Sequence, residues 1–535
     1  MQSFPTVARL FSWIERNSGR VAVALVLIAS LRIVSTYRVL SHTTDEPAHL
    51  AAGIEWIQNG TYTYEDQHPP LARVAGALGL YLTGSRWTRN KDMYMEGFLL
   101  LGQNKRYNKA LFYSRLFMLP FFWVAAAAVY CWGRRVGSGV VAVLSVLLFT
   151  TMPAVLAHAG LATTDMALTA FASATLVASL YWVEKPGWGR SCVLGALLGL
   201  ALLSKFSTLA FLPAAWLLMY LTRLCRDRPG TQAELRRVTG LVPWAVMSLA
   251  VAAFLVWAGY RFDVGPVDYL QARLPAPAFF TGIRYVFLHN NGGHLAYLLG
   301  QRSQTGFWYY YPVVLGVKTP LATLILVLAA ILFAIRWRDG RSLAMPMAMV
   351  AALLLVGLFS HINIGVRHIL PIYTGFAICG GVALDRMFQA KQAWLVAVGS
   401  MLLLWQVASG ALVHPDYIAY TNELAGRHPE RILADSDLDW NQGMRGLALR
   451  LQELGVRRLT FKIASSGYMI ANGHSFPPYD FMPDGDTPPV GWNAVSVTEW
   501  KLTGQPKWAE RVEPTERIRR SIYLYYFPPG KRNGN

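Results

Sequence analysis

Carboxylates beside apolar segments are the first residues in this sequence that suggest chemistry. Asp45 and Glu46 directly follow a long apolar run, and Asp165 stands in a short turn between two such runs. A carboxylate that is partly shielded from water and faces a second negative charge becomes a better proton acceptor. All three therefore become candidates for a general base that acts on a hydroxyl group. The alternative is helix capping, because Asp or Thr before a helix with Pro in its first turn is typical of an N-cap.

A further cluster of acids with a histidine follows in the loop after Glu46. Glu65, Asp66 and His68 stand directly before Pro69 and Pro70. Such a cluster can bind a divalent metal ion or can hold the loop in shape. It lacks a fixed ligand spacing, so a metal ion is neither required nor supported by the sequence.

The composition indicates what positions these residues. Of 535 residues, 54% are hydrophobic and only 15% are charged, whereas a soluble domain has roughly 25% charged residues. Apolar runs such as Val21–Leu40 and Val313–Ile335 are long enough to span a membrane. These features predict an α-helical polytopic membrane protein. They argue against a soluble multidomain enzyme, a disordered chain, a disulfide scaffold and an outer-membrane barrel.

The apolar runs predict eleven spans. They are Val21–Leu40, Leu111–Trp132, Val140–Ala157, Met166–Val183, Cys192–Ser204, Phe206–Leu221, Leu241–Tyr260, Val313–Ile335, Ala344–Ser360, Ile369–Leu384 and Ala393–Val413. A break at Lys205 separates the fifth span from the sixth, because a charge inside a spanning helix is costly. The break also places all the basic loops on one side of the membrane.

The net charge of +19 indicates membrane orientation rather than a nucleic-acid partner. Residues 414–535 hold 15 Lys/Arg and 14 Asp/Glu, so the positive excess lies in short loops among the apolar segments. Such loops face the cytoplasm. We therefore expect a cytoplasmic N-terminus, with the long loops 41–110 and 261–312 on the outer side together with the tail 414–535.

Two domains follow from this topology. Residues 1–413 form the transmembrane domain, in which Pro47–Gln58 and Leu71–Leu82 are predicted helices that lie along the outer membrane surface. Residues 414–535 are predicted to form a small extracytoplasmic α/β domain. Its predicted elements are a helix at Gly443–Leu454, strands at Arg458–Ala464 and Trp492–Val497, and a loop at Phe476–Gly491.

Basic side chains on the outer side are candidates for holding a phosphate group. They are Lys205, Arg284, His289, His294, Lys318, His361, Arg367 and His368. The alternative for each is a side chain that reaches the interface or pairs with a structural acid. Arg32 and Arg115 lie inside apolar spans, so each is expected to have a partner in the bundle.

An aromatic run stands at the start of the eighth span. Tyr309 lies within Phe307–Tyr311. Aromatic residues at this position are typical of an interfacial belt, and the alternative is a wall for stacking on a sugar or an isoprenoid chain.

The order of the motifs points to a family. The first span ends in Asp-Glu-Pro, and His-Pro-Pro-Leu follows in a long outer loop. Thr-Thr-Asp165 comes after the third span, Ser-Lys205-Phe-Ser after the fifth, and Arg367-His368 opens the tenth. This order, over roughly residues 20–413, resembles the multispanning glycosyltransferases of family 39, which have the GT-C fold. The family includes protein O-mannosyltransferases and lipid A aminoarabinose transferases, and the tail with Leu433–Gln442 is similar to tails of bacterial members.

The resemblance implies a transferase that uses a polyprenyl-phosphate sugar donor on the outer face of the bacterial inner membrane. Asp45 matches the family's catalytic acid, Asp165 its second acid, and Glu65 or Asp66 a further acid of the first loop. Lys205 and Arg367 match basic residues that meet the lipid phosphate. The expected partners are this donor, membrane lipids and a lipid, glycan or protein acceptor, and no cofactor is required.

Two other classes of function stay open at this stage. A transporter or flippase for a lipid-linked or anionic substrate would place its charges near the middle of the membrane, often in two pseudo-symmetric halves. The acids here lie at the outer ends of spans, and the sequence shows no half-repeat. An assembly scaffold that uses the tail would leave Asp45 and Asp165 unexplained.

The predicted topology can be tested with a reporter that is active only outside the cytoplasm. Fused after Val413, it is expected to be active, because the sidedness of the basic loops places this residue outside. A fusion after Arg135, in a basic loop, is the matched control and is expected to be inactive. Activity that appears only in the second fusion would overturn the orientation.

Overall fold

A computed structural model describes residues 5–336, 343–463 and 474–530, and helices dominate it up to residue 412. The helices of this part are α1 (Pro5–Thr36), α2 (Glu46–Gln58), α3 (Pro70–Leu82), α4 (Met93–Gly102), α5 (Tyr107–Leu116), α6 (Leu119–Val136), α7 (Gly139–Thr151), α8 (Pro153–Ala159), α9 (Asp165–Glu184), α10 (Trp188–Leu202), α11 (Thr208–Asp227), α12 (Thr231–Gly259), α13 (Pro277–Gly292), α14 (Tyr310–Lys318), α15 (Leu321–Arg336), α16 (Ala344–Leu358), α17 (Ile372–Gln389) and α18 (Ala393–Leu412).

Several of these helices can cross a membrane. Among the described residues, six are long and apolar enough, namely α1, the continuous pair α5–α6, α9, α11, α12 and α18, and two bent pairs raise the number to eight. The other three predicted spans fall on α10 and α16, with 15 residues each, and on α17, with 18. Every predicted span coincides with a helix or a helix pair. The polytopic fold is thus confirmed, whereas the number eleven stays a prediction.

Two predicted spans are bent rather than straight. The helices α14 and α15, predicted as the single span Val313–Ile335, meet at an angle of 114°, and α7 and α8 meet at 68°. A proline stands at each break, Pro320 before α15 and Pro153 at the start of α8. Proline lacks the N–H group that continues the helical hydrogen bonds. The first helix therefore ends at each break, and the second begins in a new direction.

The break predicted at Lys205 is observed. Helix α10 ends at Leu202 and α11 begins at Thr208. Helix α10, before the break, packs against α12 through small residues. A Cβ atom on Gly195 of α10 would lie 2.4 Å from the carbonyl oxygen of Ser248 on α12. Only glycine permits this approach, which holds the middle of α10 against α12.

The two long loops are structured. The helices predicted at Pro47–Gln58 and Leu71–Leu82 are present as α2 and α3, and their position along the membrane surface stays a prediction. The second long loop contains α13 and two antiparallel hairpins. Their strands are β1 (Val264–Val267), β2 (Ala272–Pro275), β3 (Ala296–Leu298) and β4 (Gln301–Ser303).

The tail forms a five-stranded mixed sheet in the order β6-β5-β7-β9-β8. Its elements are α19 (Met444–Glu453), β5 (Leu459–Lys462), β6 (Tyr479–Phe481), β7 (Gly491–Ser496), α20 (Val497–Thr503), β8 (Glu516–Ile518) and β9 (Ile522–Phe527). Strand β5 is parallel to β6 and β7, while β7–β9 and β8–β9 are antiparallel. Helix α19 packs on the sheet through Met444, Leu447 and Leu451.

The prediction for the tail is right in outline and incomplete in detail. The predicted helix and both strands are present, although Ala464, the end of the first predicted strand, lies outside the described residues. The predicted loop Phe476–Gly491 contains the short strand β6, which pairs with β5. Residues 414–442 pack against the helices through Tyr417 and Trp440, so the domain boundary at residue 413 stays a prediction.

Candidate active site

Four charged side chains predicted from distant motifs meet at one point. Asp45 directly precedes α2, Asp165 begins α9, Lys205 lies between α10 and α11, and Arg367 belongs to a 3-10 turn, Val366–Ile369. Arg367 Nη1 donates to Asp45 Oδ2 at 2.9 Å and lies 4.0 Å from Asp165 Oδ2. Lys205 Nζ donates to Asp165 Oδ1 at 2.6 Å. We call these four residues the charged cluster.

The two acids of the charged cluster differ in their access to solvent. The side chain of Asp45 is 26% exposed and that of Asp165 only 1%. Burial opposes the charge of Arg367, but the two carboxylates outweigh it and raise the pKa of Arg367. Arg367 is therefore a permanent cation. Asp45 is the acid that a ligand can reach, whereas Asp165 is enclosed between Lys205 and Arg367.

Helix capping does not account for either carboxylate. Asp45 occupies the N-cap position of α2 and Thr164 that of α9, yet neither side chain makes a capping hydrogen bond among the described residues. Asp165 accepts instead from Lys205 and from the hydroxyl group of Thr163, at 3.2 Å. The side chains of both acids are thus directed to cations rather than to helix ends.

Glu46 corrects the prediction of a catalytic pair. Its side chain is fully buried, and Arg115 donates to both of its oxygens, at 2.8 and 2.7 Å. The backbone N–H groups of Thr43 and Ala162 donate as well, at 2.7 and 2.9 Å. Burial alone would raise the pKa of Glu46, but Arg115 and these donors lower it. Glu46 is therefore a structural anchor for the turn that carries Asp45, and it is the bundle partner expected for Arg115.

The acids of the first loop hold the loop together. Glu65 is bonded to Arg73 of α3 and lies 3.4 Å from His68 Nδ1. Burial raises the pKa of Asp66 to about 6, with a further contribution from Glu65. Among the described residues, no three His, Cys, Asp or Glu side chains are close enough to share a metal ion. The loop-holding alternative thus accounts for Glu65, and the roles of Asp66 and His68 stay predictions.

Three other predicted residues lie outside the charged cluster, and their assignment to the substrate site stays a prediction. Arg284 is exposed and stacks on Tyr269, 5.1 Å from the ring centroid. His361 is exposed as well, and its backbone N–H donates to Asn290. Tyr309 packs against its neighbours in the aromatic run, Phe307 and Trp308.

An apolar groove adjoins the charged cluster. It has a volume of about 570 Å³ and runs between α11, α13 and α16. Lys205 and His368, which lie next to the charged cluster, are here called its polar end. Its other polar lining residues are Gln67, His68, Ser207, His289, Asn290 and Ser360. Its apolar walls include Phe206, Leu209, Phe211, Val286, Phe287 and Phe359. The groove therefore joins an apolar channel to the ammonium group of Lys205, which suits a ligand with an anionic head and a long apolar tail.

His368 stands at the junction of the groove and the charged cluster. Its ring lies between Phe211 and Tyr311, with centroids 6.1 and 6.0 Å away. Burial, reinforced by Lys205, lowers the pKa of His368 to about 3, so the imidazole is neutral at physiological pH. Its Nδ1 has no hydrogen-bond partner within the described part of the chain. This atom is thus a buried polar group whose hydrogen-bonding capacity is unused among the described residues.

Trp440 is a part of the site that the sequence did not reveal. Its indole ring lies 4.0 Å from Arg367 Cζ, and the ring of His158 stands edge-on to it at 6.3 Å. The surrounding run Leu433–Gln442 is conspicuous in the sequence for its alternating aspartates. That run was the only available signal, and nothing in it indicated a contact with a residue 73 positions earlier, Arg367.

Part of the sequence matches a known protein family, and the fold is similar to that of solved structures. Residues 93–260 match the family described as dolichyl-phosphate-mannose-protein mannosyltransferase. The matched range includes Asp165 and Lys205. The predicted resemblance to the multispanning GT-C glycosyltransferases is confirmed, and so is the predicted fold class, a polytopic helical membrane protein with a small C-terminal sheet.

Two similar solved structures are those of ArnT from Cupriavidus metallidurans. The structure bound to undecaprenyl phosphate has a TM-score of 0.51 at 13% identity, and the apo structure has 0.50 at 12%. Each comparison covers 94% of this chain and 97% of the other. No curated protein matches the sequence.

The anchor role of Glu46 predicts a large effect of Arg115→Met on stability. This substitution leaves the Glu46 carboxylate buried without its counter-ion, which costs about 3–5 kcal/mol. The measurement is thermal unfolding of the purified protein in detergent. Lys109→Met, on the exposed face of the same helix α5, is the matched control and is expected to unfold like the wild type. Equal unfolding temperatures for the two variants would contradict the anchor role.

Proposed function

We propose that the protein is an integral-membrane glycosyltransferase that moves a sugar from a polyprenyl-phosphate donor to an acceptor hydroxyl group. The acceptor is a lipid, a glycan or a protein on the outer face of the bacterial inner membrane. One observation carries the proposal: Lys205 belongs both to the apolar groove and to the charged cluster that contains Asp45. The similar ArnT structure bound to undecaprenyl phosphate supports the same class of lipid.

The donor lipid fits the groove and the charged cluster together. The isoprenoid chain lies against the apolar walls of the groove, where burial contributes about 25 cal/mol for each Å² removed from water. The phosphate lies at the polar end, beside Lys205 and Arg367. Each of these cations gives only part of its donors to Asp165 and Asp45, and an ammonium has three donors and a guanidinium five. His368 Nδ1 supplies a further polar atom at this position.

The chemistry then needs one base and two cations. Asp45, the exposed acid, takes the proton from the acceptor hydroxyl group, whose oxygen attacks the anomeric carbon. The bond between this carbon and the phosphate oxygen breaks, and the lipid phosphate leaves with the electron pair. Lys205 and Arg367 stabilise the charge that develops on it. A single displacement inverts the anomeric centre, so no carboxylate is needed as a nucleophile.

Asp165 has a supporting role in this proposal. It is too enclosed to meet an acceptor, but it fixes Lys205 at 2.6 Å and contributes to the field around Arg367. The positions of the acids also favour a transferase over a transporter. Asp45 and Asp165 stand at the starts of helices rather than in the middle of membrane-spanning segments, where a transport pathway would need charges.

The base assignment predicts that Asp45→Asn abolishes transfer. An amide keeps the shape of the side chain but cannot accept the proton, so turnover falls by about 10²–10⁴-fold. The assay is sugar transfer by the purified protein from a panel of polyprenyl-phosphate hexoses and pentoses in the presence of membrane extract. Binding of undecaprenyl phosphate is measured in parallel and is expected to persist.

Asp92→Asn is the matched control for this experiment. Asp92 lies in the same outer loop and is a genuine N-cap, because its carboxylate accepts from the N–H group of Met95 at 2.7 Å. Its replacement by Asn, an equally good cap, is expected to leave transfer unchanged. Near-normal transfer by Asp45→Asn would refute the base assignment. Wild-type binding of undecaprenyl phosphate with no transfer from any donor would favour a transporter.

The phosphate role predicts that Lys205→Met weakens binding of undecaprenyl phosphate. Loss of a buried charge-assisted contact costs roughly 1.5–3 kcal/mol, or about one to two decades in affinity. The methionine keeps the apolar stem, so lost packing does not explain a defect. Arg284→Met removes an exposed cation outside the charged cluster and is expected to bind like the wild type.

A double variant separates the two possible causes of a defect in Lys205→Met. The single change leaves Asp165 without its nearest cation, whereas Lys205→Met with Asp165→Asn restores neutrality. If Lys205 contacts the phosphate, the double variant is expected to bind undecaprenyl phosphate as weakly as Lys205→Met does. Full recovery of affinity in the double variant would show that the defect came from an uncompensated Asp165, and it would overturn the phosphate role.

A further inference from the structure

We infer that residues Asp435–Gln442 of the tail, here called the tail clasp, are part of the active site, and that Trp440 is a positioning residue for Arg367. The inference rests on the proposed function, because it assigns a role in the same site. The tail clasp would hold two turns in a fixed arrangement, the turn that carries the base Asp45 and the turn that carries the cation Arg367.

The tail clasp binds the turn that carries Asp45. The backbone N–H of Thr44 donates to the carbonyl oxygen of Trp440 at 3.2 Å, and Asn441 Nδ2 donates to Thr44 Oγ1 at 2.9 Å. The N–H of Ser41 donates to the carbonyl oxygen of Gln442 at 3.1 Å. Since Thr44 is the neighbour of Asp45, these bonds restrict where the carboxylate can lie.

The tail clasp also binds the turn that carries Arg367. Asp437 Oδ1 accepts from the N–H of Val366 at 3.0 Å, and Ser436 Oγ donates to the carbonyl oxygen of Ile364 at 2.5 Å. Gly365 has φ +86, and a Cβ atom there would lie 2.7 Å from Ser436 Oγ. Glycine is needed both for this backbone conformation and for the close approach of the clasp.

Trp440 acts on the guanidinium itself. Its ring lies 4.0 Å from Arg367 Cζ, and the residue is only 3% exposed. An aromatic face stabilises a cation without accepting its N–H groups. Asp435, another residue of the clasp, adds a carboxylate to the surroundings of Arg367. The ring adds to this attraction and orients the guanidinium without taking up an N–H donor.

The tail clasp is itself fixed on two sides. Ser496 Oγ and Thr498 Oγ1 donate to Asp439, to Oδ2 at 2.5 Å and to the carbonyl oxygen at 2.6 Å. From the helical side, Lys318 Nζ donates to the carbonyl oxygen of Asp437 at 2.6 Å. The sheet of the tail and the helix α14 thus hold the clasp between them.

The first test compares Trp440→Leu with Trp440→Phe in the full-length protein. Loss of the aromatic face frees Arg367, so Trp440→Leu is expected to lower affinity for undecaprenyl phosphate by about three- to thirtyfold. Transfer at saturating donor is expected to fall as well, because Arg367 no longer meets the leaving group in a fixed orientation. Trp440→Phe keeps an aromatic face. It is expected to retain most of the affinity for undecaprenyl phosphate and most of the transfer at saturating donor.

The control is Trp492→Leu, which removes a tail tryptophan that packs on Tyr526 within the sheet. It is expected to match the wild type. Wild-type affinity and turnover in Trp440→Leu, or equal defects in the leucine and phenylalanine variants, would overturn the positioning role.

A double-mutant cycle tests the inference without any substrate. Thermal unfolding is measured for Trp440→Leu, Arg367→Gln and the double variant. If the ring acts on the guanidinium, the two changes are non-additive, whereas strict additivity would overturn the inference. A wild type that neither binds undecaprenyl phosphate nor transfers sugar would defeat the proposed function, and the cycle would still decide the role of Trp440.

Discussion

The structure depends on one requirement, the compensation of charges placed at the ends of apolar helices. Lys205 and Arg367 are nearly buried, and burying a cation is costly unless it is paired with an opposite charge and hydrogen-bonded. In space, the side chains follow one another in the order Asp45, Arg367, Asp165, Lys205. Negative and positive charges therefore alternate along this row. Because they come from four distant parts of the chain, this alternation fixes the mutual positions of the helix ends that carry them.

Within that arrangement, neighbouring carboxylates have different tasks because their surroundings differ. Glu46 is saturated by Arg115 and two backbone donors, and so it holds the turn in place. Asp45, one residue earlier, has one cation and an open side. Asp165 is enclosed by both cations. Of the three, only Asp45 has a side open to solvent and is not enclosed by two cations, so it is the carboxylate that an acceptor hydroxyl group can approach.

The sequence indicated the helices for a physical reason. It also named the four residues of the charged cluster as candidates, with the phosphate role of Lys205 and Arg367 implied by the family resemblance. An apolar run of spanning length forms a helix in a membrane, because its backbone groups must be hydrogen-bonded within the segment. Charged residues at its ends lie at the membrane interface or pair with an opposite charge. The distinction between Asp45 and Glu46 was not accessible, because it depends on Arg115, which is far along the chain. The same holds for Arg284 and Tyr309, whose directions depend on packing. The contact of Trp440 with Arg367 and the short pairing of β6 are long-range features without a local signal.

The central claim is that the charged cluster receives the phosphate of a polyprenyl lipid. The most direct measurement is an experimental structure of the full-length protein with undecaprenyl phosphate. The account predicts the phosphate within hydrogen-bond distance of Lys205 Nζ and the Arg367 guanidinium, with the isoprenoid chain along Phe211 and Phe287 in the groove. A phosphate bound elsewhere, with the Arg367–Asp45 pair unchanged and the groove empty, would contradict it.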